Sequence, residues 1–280
     1  MVKNFKNLKN QKGQAVLVVL LSLSVVLVIT LYIMSRTITD VSLTTKDEDA
    51  LRAFSAAEAG VEQALVIGNS SNSDFNGGQF SASVTEFGTG ETTVTYPLSL
   101  KSGEIATFWF ARPNETGFNG RNIKLCWAIN SSEPPAIEAT IYYKNTLGEY
   151  KIARRALDPD ATRLVSNNFS SALTSNCQIG TATYLYQQNI DLSGLGIVAS
   201  DTLQYMTVKF LYNTNVSHRL ALDVSTGNSG SIMPSQGVIV NSSGSFGDSN
   251  RSIEVYQLYS NVPSVFMNAF YSSTDIIKLN

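Results

Sequence analysis

The stretch from Gln14 to Ile67 constrains the fold most, because its 54 residues contain no proline and only one glycine, Gly60. Its first part, residues 14–35, holds 22 residues without a formal charge. About 20 mostly apolar residues in a helix span the ~30 Å hydrocarbon core of a bilayer. Residues 36–67 then mix charged and apolar side chains without a helix breaker. We therefore predict one helix with a transmembrane half (14–35) and an amphipathic half (36–67), about 80 Å long at ~1.5 Å per residue.

Residues 1–13 form a basic leader with four lysines and no acidic residue. The positive-inside rule predicts that this end stays in the cytoplasm and that the chain after the helix lies outside. A secretory signal peptide is disfavoured, because the apolar run exceeds the usual ~7–15 residues and no A-x-A cleavage site follows it closely. A plain uncleaved anchor and a leader cut between Gly13 and Gln14 both stay open.

Two sets of residues in the outer half of the helix predict packing contacts. The first set is small and repeats every four residues: Ala56, Gly60 and Ala64. Small residues at this spacing let a helix approach its neighbour closely. The second set is an apolar stripe: Ile38, Val41, Leu51, Phe54, Val61 and Leu65. We expect this stripe to pack on the domain that follows.

The leader, the glycine before the apolar run and the unbroken long helix resemble the prepilins of the type IV pilin and type II pseudopilin superfamily, over about residues 8–67. Within this region LRAFSAAEAGVEQAL (51–65) is similar to the AAEAG segment of the PilX-type minor pilins. The resemblance implies that prepilin peptidase, a membrane aspartyl protease, cuts after Gly13 and methylates the new amine of Gln14. It also implies that the helix first holds the subunit in the cytoplasmic membrane and then packs against other pilin subunits in a filament.

Two positions depart from the pattern of major pilins. The mature chain would begin with Gln14 rather than Phe or Met, and its fifth residue is Val18 where major pilins have Glu. A carboxylate in lipid is costly and persists where it has a role, so its absence removes an assembly contact. The departure indicates a minor, tip or priming subunit rather than a major filament subunit.

Residues 68–280 predict a mainly β extracytoplasmic domain. Short runs rich in Val, Ile, Thr, Tyr and Phe alternate with Gly, Asn, Pro and Ser, as in an antiparallel β-sandwich or barrel. The fold class is therefore α+β, with either one large sandwich or two halves divided near 158–176. Residues 69–78 predict a linker. Val265, Phe266, Phe270 and Tyr271 are expected to close the core.

Composition argues against nucleic acid as a partner and leaves the presence of a disulfide open. With the four leader lysines removed, 16 Lys and Arg remain against 22 Asp and Glu, a net charge of −6. No basic patch indicates nucleic acid as a partner. Cys126 and Cys177 are a candidate disulfide in an outward-facing domain, or else two unpaired thiols.

No catalytic or metal constellation emerges from the sequence. His218 is the single histidine, so no Cys/His cluster for zinc is indicated, and the sequence indicates no positioned partners that would make it a catalytic base. The oxygen-rich loop around Asp158 and Asp160 lacks the ordered ligand set of a calcium site. We therefore expect no cofactor, no metal and no enzymatic activity.

Three functions remain as hypotheses. The favoured one is a minor pilin or pseudopilin-like subunit acting in filament assembly, adhesion or aggregation. The second is an uncleaved single-pass anchor that displays an adhesin or carbohydrate-binding domain, for which aligned, exposed aromatics would be the sign; the candidates are Trp109, Trp127, Tyr142 and Tyr143. The third is a membrane-tethered hydrolase. The surface ligand of the domain is not specified by the sequence.

Overall fold

The computed structural model describes residues 12–113, 117–226 and 231–260, with side chains from residue 15 onward. The helices are α1 (Lys12–Ile67), α2 (Ala161–Asn167) and a short 3-10 helix at Ser193–Leu195. The strands are β1 (Ser71–Phe75), β2 (Gly78–Phe87), β3 (Thr93–Thr95), β4 (Ile105–Trp109), β5 (Asn122–Trp127), β6 (Ala136–Lys144), β7 (Tyr150–Asp158), β8 (Ser170–Ser171), β9 (Cys177–Ile179), β10 (Ala182–Tyr184), β11 (Tyr186–Asp191), β12 (Thr202–Leu211), β13 (Leu220–Asp223), β14 (Gly237–Phe246) and β15 (Ser249–Leu258). A long N-terminal apolar helix thus precedes a β-rich remainder, which confirms the predicted α+β class.

The chain divides into two compact units. Among the described residues, the helical unit comprises 12–83 together with Asn241–Ile253, and the sandwich unit comprises those within Val84–Val240 and 254–260. Residues 158–176, where we expected a connection between two halves, lie within the sandwich unit and contain α2 and β8. The predicted linker at 69–78 differs from the structure, because it contains β1, which pairs antiparallel with β2.

Helix α1 is continuous for 56 residues, and hydroxyl side chains along its exposed part are hydrogen-bonded within the helix. The hydroxyls of Ser22, Thr30 and Thr37 each donate to a backbone carbonyl three or four residues earlier, at 2.8–3.0 Å. An unpaired hydroxyl in an apolar medium would be costly. At the other end Gly68 adopts φ +74° and its N–H donates to the Ala64 carbonyl at 2.8 Å, which terminates the helix.

Among the described residues, α1 is the one helix long and apolar enough to cross a membrane. Every residue from 15 to 48 is exposed to the surroundings. Large apolar side chains therefore stay uncovered by protein along this part of the helix. This exposure is what a lipid-facing segment requires.

The sandwich unit contains two sheets that face one core. One sheet has the strand order β11-β5-β13-β3 and the other β4-β12-β6-β7-β8, with pairing that is antiparallel except between β7 and β8. Alternate residues point inward: Ile123, Leu125 and Trp127 of β5 lie in the same buried cluster as Phe108 of β4 and Ile141 of β6. Period-2 alternation with two inner faces is the packing of a β-sandwich.

The hairpin of β9 and β10 covers the opposite face of β5. Cys126 and Cys177 form a disulfide with their Cα atoms 6.0 Å apart. The sulfurs lie in a small buried cluster with Ile179, Tyr184 and Ala221. The bridge ties residues that are 51 positions apart, a loop length for which removal typically lowers stability by about 2–5 kcal/mol.

Candidate functional site

The outer half of α1 buries its small residues against strands of the helical unit. Ala53, Ala56, Ala57 and Ala64 are fully buried, and Gly60 is buried beside them. A Cβ added to Gly60 would overlap Ser242 Oγ and lie 2.7 Å from Phe80 Cδ2. A side chain at position 60 would require Ser242 and Phe80 to move, so the glycine permits the close approach of helix and sheet.

A second glycine makes the same contact from the strand side. A Cβ added to Gly244 of β14 would overlap the Ala53 carbonyl oxygen and the Ala57 nitrogen, and would lie 3.0 Å from the Ala56 carbonyl carbon. These are backbone atoms that cannot turn away as a side chain can. The helix and β14 therefore meet nearly backbone to backbone.

The structure divides the residues we expected to pack. Ala56, Gly60, Ala64 and Val61 lie on the buried face, and Leu65 is half-buried. Phe54 is 44% exposed and lies outside that face, contrary to the expectation that the apolar stripe packs on the following domain. The remaining stripe members are more than half exposed and also lie outside that face: Ile38, Val41 and Leu51. Large side chains on the packed face would hold the two backbones apart, so the small residues occupy it instead.

The predicted processing bond between Gly13 and Gln14 lies in the first turn of α1, which begins at Lys12. Cleavage there stays a prediction. No charged residue occurs in the run that follows until Arg36.

A row of side chains crosses the outer face of the five-stranded sheet. Trp109 of β4 pairs directly with Tyr205 of β12, and Tyr205 pairs with Tyr142 of β6. The ring centroids of Trp109 and Tyr205 are 5.1 Å apart, and those of Tyr205 and Tyr142 are 4.3 Å apart with nearly parallel planes. We call these three residues the aromatic row. Burial raises the pKa of Tyr205, with Tyr142 adding to the effect, so its phenol stays protonated at neutral pH.

A β-bulge in β12 creates this row. The register shifts between Leu203 and Tyr205, which leaves Gln204 as the additional residue. Leu203 and Met206 consequently both face the core although they are three residues apart, and Tyr205 between them turns outward. The Gln204 carbonyl accepts bonds from the N–H groups of Phe110 and Ala111, which fixes the end of β4.

Beside Trp109 lies an open pocket of about 260 Å³ lined by Trp109, Ala111, Arg112, Pro113, Tyr259 and Ser260. The guanidinium carbon of Arg112 lies 3.2 Å from the centroid of the Tyr259 ring, a cation–π contact. Tyr205 does not line the pocket, so the pocket meets a part of Trp109 that Tyr205 leaves uncovered. We call this the Trp109 pocket.

Two adjacent residues hold both aromatic walls of the Trp109 pocket. The Gln236 amide donates to the Trp109 carbonyl at 2.9 Å and accepts from the Trp109 N–H at 2.7 Å. Ser235 Oγ lies 2.9 Å from the Tyr259 hydroxyl. Ser235 and Gln236 are both buried, at 0% and 4% exposure. Sequence inspection missed this arrangement, because Gln236 contacts a residue 127 positions away.

The other two aromatic residues named from the sequence lie in or against the sandwich core. Trp127 is fully buried, and its indole N–H donates to the Pro135 carbonyl at 3.0 Å. Tyr143 is partly buried and packs against the sandwich core. Of the four candidates named from the sequence, Trp109 and Tyr142 thus lie on the outer face.

Two titratable residues considered in the sequence, Asp158 and His218, are hydrogen-bonded within the sandwich unit. Asp158 is buried and accepts a two-pronged interaction from Arg163 at 2.7 and 3.0 Å, together with a bond from Asn167. His218 is buried with Nε2 2.9 Å from the Ser132 carbonyl, and burial lowers its pKa. Within residues 12–113, 117–226 and 231–260, no three His, Cys, Asp or Glu side chains are placed to hold a metal ion.

No protein-family model matches the chain. No curated protein sequence matches it either. Among solved structures, the chain is similar to a carbohydrate-binding module specific for non-crystalline cellulose, with 13% identity and a TM-score of 0.26 over 55% of this chain and 76% of that chain. A TM-score this low carries no argument about fold or function.

Proposed function

We propose that this chain is a minor pilin-like subunit, anchored by α1 and displaying its β-sandwich outside the membrane. In this proposal prepilin peptidase removes residues 1–13, Gln14 becomes the N-terminus, and the helix later packs among other subunits in a filament. The subunit then acts in assembly, adhesion or aggregation.

One observation carries the proposal: a single unbroken helix has two kinds of surface. Its first part is apolar and exposed, while its outer part buries a small-residue face in a sheet of the same unit. An exposed apolar surface needs a lipid or protein partner. A subunit that leaves the membrane for a filament exchanges one such partner for the other while its β structure stays attached.

The absence of an acidic residue from 14–35 limits the position of the subunit in a filament. Val18 offers no charge to pair with the terminal amine of a neighbour. Contacts through this part of the helix would therefore rest on apolar packing alone. This supports a minor or terminal subunit over a repeating one.

The proposal is tested by the intact mass and N-terminal sequence of the native protein extracted from membranes. We expect a chain that starts at methylated Gln14. Replacement Gly13→Leu should leave the full 280-residue chain, whereas Ala15→Leu, which adds the same side chain two residues later, should be processed normally. Normal processing of Gly13→Leu would exclude a peptidase that recognises this glycine.

A second function is favoured by the aromatic row, an arrangement suited to ligand binding. In this alternative the chain is an uncleaved single-pass anchor that displays a binding domain. A native N-terminus at Met1, with no filament containing the protein, would support it over the pilin-like subunit.

A further inference from the structure

We propose that the aromatic row and the Trp109 pocket form a binding site for an acidic glycan, a sugar chain that carries carboxylates. The site lies in the sandwich unit and does not depend on whether the leader is cut. Three observations carry it: a preorganised aromatic wall, a pocket of the right size and a local excess of positive charge.

The walls of the site are fixed before any ligand arrives. Gln236 holds Trp109 through both of its backbone polar groups, and Ser235 bonds the Tyr259 hydroxyl. The buried Gln236 amide thus fixes the backbone of a partly exposed aromatic residue at the edge of the pocket. Preorganised groups bind more tightly because less conformational entropy is lost on binding.

The geometry assigns different roles to the rings. Tyr142 and Tyr205 stack on each other, so their facing surfaces are already covered and they offer a ligand ring edges and phenol groups. Trp109 instead lines an open pocket. The C–H groups of a pyranose carry a small positive charge and pack on the negative face of an aromatic ring.

The Trp109 pocket is suited to one sugar residue. Its volume of about 260 Å³ lies below the ~300–1,000 Å³ of sites that enclose drug-sized molecules. It is open, and the aromatic row continues from it across two further strands. A polymer can therefore place one residue in the pocket and extend along the row.

Charge selects an anionic ligand. Arg112 lines the pocket, and the outward positions of β12, β6 and β7 add Lys209, Lys144 and Arg154. Two acidic residues share the outward positions of these strands: Glu138, which pairs with Lys209 across the sheet and lies 3.8 Å from Arg154, and Asp158, which is buried and bonded to Arg163. The whole chain has a net charge of −2, so this face has the opposite sign to the molecule. A carboxylate on the sugar complements it.

The test is affinity electrophoresis of the full chain in a zwitterionic, sugar-free detergent. Three soluble polymers serve as probes: polygalacturonate has sugar rings and carboxylates, hydroxyethylcellulose has sugar rings alone, and poly-glutamate has carboxylates alone. We expect retardation by polygalacturonate that is about tenfold stronger than by either other polymer. Equal retardation by poly-glutamate would overturn the proposal that the ligand is a glycan. Equal retardation by hydroxyethylcellulose would overturn the proposal that the ligand must carry carboxylates.

Variants locate the site. Trp109→Ala should weaken polygalacturonate binding about tenfold, as loss of a central aromatic contact does, while Trp109→Tyr should retain most of it. Arg112→Gln should weaken binding and reduce its salt dependence. The matched controls are Val165→Ala and Arg251→Gln, an exposed apolar and an exposed basic residue outside the site. Unchanged binding by a folded Trp109→Ala protein would overturn the proposal.

Discussion

The helical unit and the sandwich unit reach dense packing by opposite means. In the helical unit the buried face of α1 consists mainly of alanines and Gly60, with Val61 beside them, and it meets Gly244 of β14 close to the backbone. In the sandwich unit the interior is filled by large side chains, among them Trp127, Phe108 and Phe210, all at most 1% exposed. One contact is close because side chains are missing, and the other is close because they interdigitate.

The difference predicts opposite sensitivities to mutation. Where backbones touch, added atoms have no space, so growth of a side chain is the damaging change. Where large side chains interlock, removal leaves a cavity and unmade contacts. The two units can therefore be distinguished by substitutions that add or remove a few carbon atoms.

The largest effect is expected from Trp127→Ala in the sandwich core. The change removes a fully buried ring and leaves the Pro135 carbonyl without the donor it has at 3.0 Å. Stability of the sandwich unit should fall by about 4 kcal/mol. Urea unfolding of the full chain in detergent, followed by hydrogen exchange of β5 and β11 amides, measures it.

Val165→Ala is the control, because Val165 is 86% exposed and its truncation should change stability by less than about 0.5 kcal/mol. If Trp127→Ala were no more destabilising than this control, the sandwich would not depend on interlocking side chains.

An intermediate effect is expected from Gly244→Ala in the helical unit. A single added carbon would overlap backbone atoms of Ala53 and Ala57, which can yield only if helix and strand separate. We expect a loss of about 2–3 kcal/mol of local stability, seen as faster hydrogen exchange of amides 53–64. Exchange in β5 should stay unchanged.

Gly194→Ala provides the matched control, because the nearest atom to its added Cβ is 3.9 Å away. Gly60→Ala sharpens the comparison further. Its added Cβ meets the Ser242 and Phe80 side chains, which can shift, and alanine gains about 1 kcal/mol over glycine in a helix interior. A Gly60→Ala effect equal to that of Gly244→Ala would show that backbone contact is not the deciding feature.

The sequence predicted those features that arise from neighbouring residues. The unbroken helix follows from the lack of proline, and its end at Ile67 coincides with the predicted one. The mainly β domain predicted after residue 68 follows from short β-rich runs, and the structure has strands β1 to β15 there. Alternation and turn residues are local signals, and they are visible without a fold.

Features that join distant residues could not be predicted. The bulge at Gln204 decides which face Tyr205 occupies, and nothing within its strand marks it. The Gln236 contact with Trp109 depends on the sheet arrangement. The prediction for Phe54 failed for a related reason. The apolar stripe indicated the packed face of the helix, but Gly60 and Gly244 permit a close approach, so the alanines form that face instead. The expected core residues Val265, Phe266, Phe270 and Tyr271 lie outside the described residues.

The smallest effect is expected from the titration of His218. It distinguishes the two units by their response to pH rather than by the size of a substituted side chain. His218 is fully buried in the sandwich unit, and burial lowers its pKa below the ordinary 6.5, against weaker opposing effects of Ser132 and Glu133. The folded unit therefore resists binding a proton that the unfolded chain accepts. Stability is unaffected above about pH 6.5 and falls as pH drops from there towards the lowered pKa, by at most about 1.4 kcal/mol per pH unit.

Unfolding measured between pH 7.5 and 5.0 tests this, with hydrogen exchange reporting on each unit separately. His218→Gln removes the titrating group and should flatten the slope in this range, at the expense of some stability at all pH values. Amides 53–64 of the helical unit should show no matching pH-dependent loss, because the chain's one histidine lies in the other unit. A wild-type slope that survives in His218→Gln would assign the pH dependence to groups other than His218. Asp223 is not expected to supply it, because burial raises its pKa but hydrogen bonds from Ser225 and the contact with Lys124 together outweigh burial and lower it.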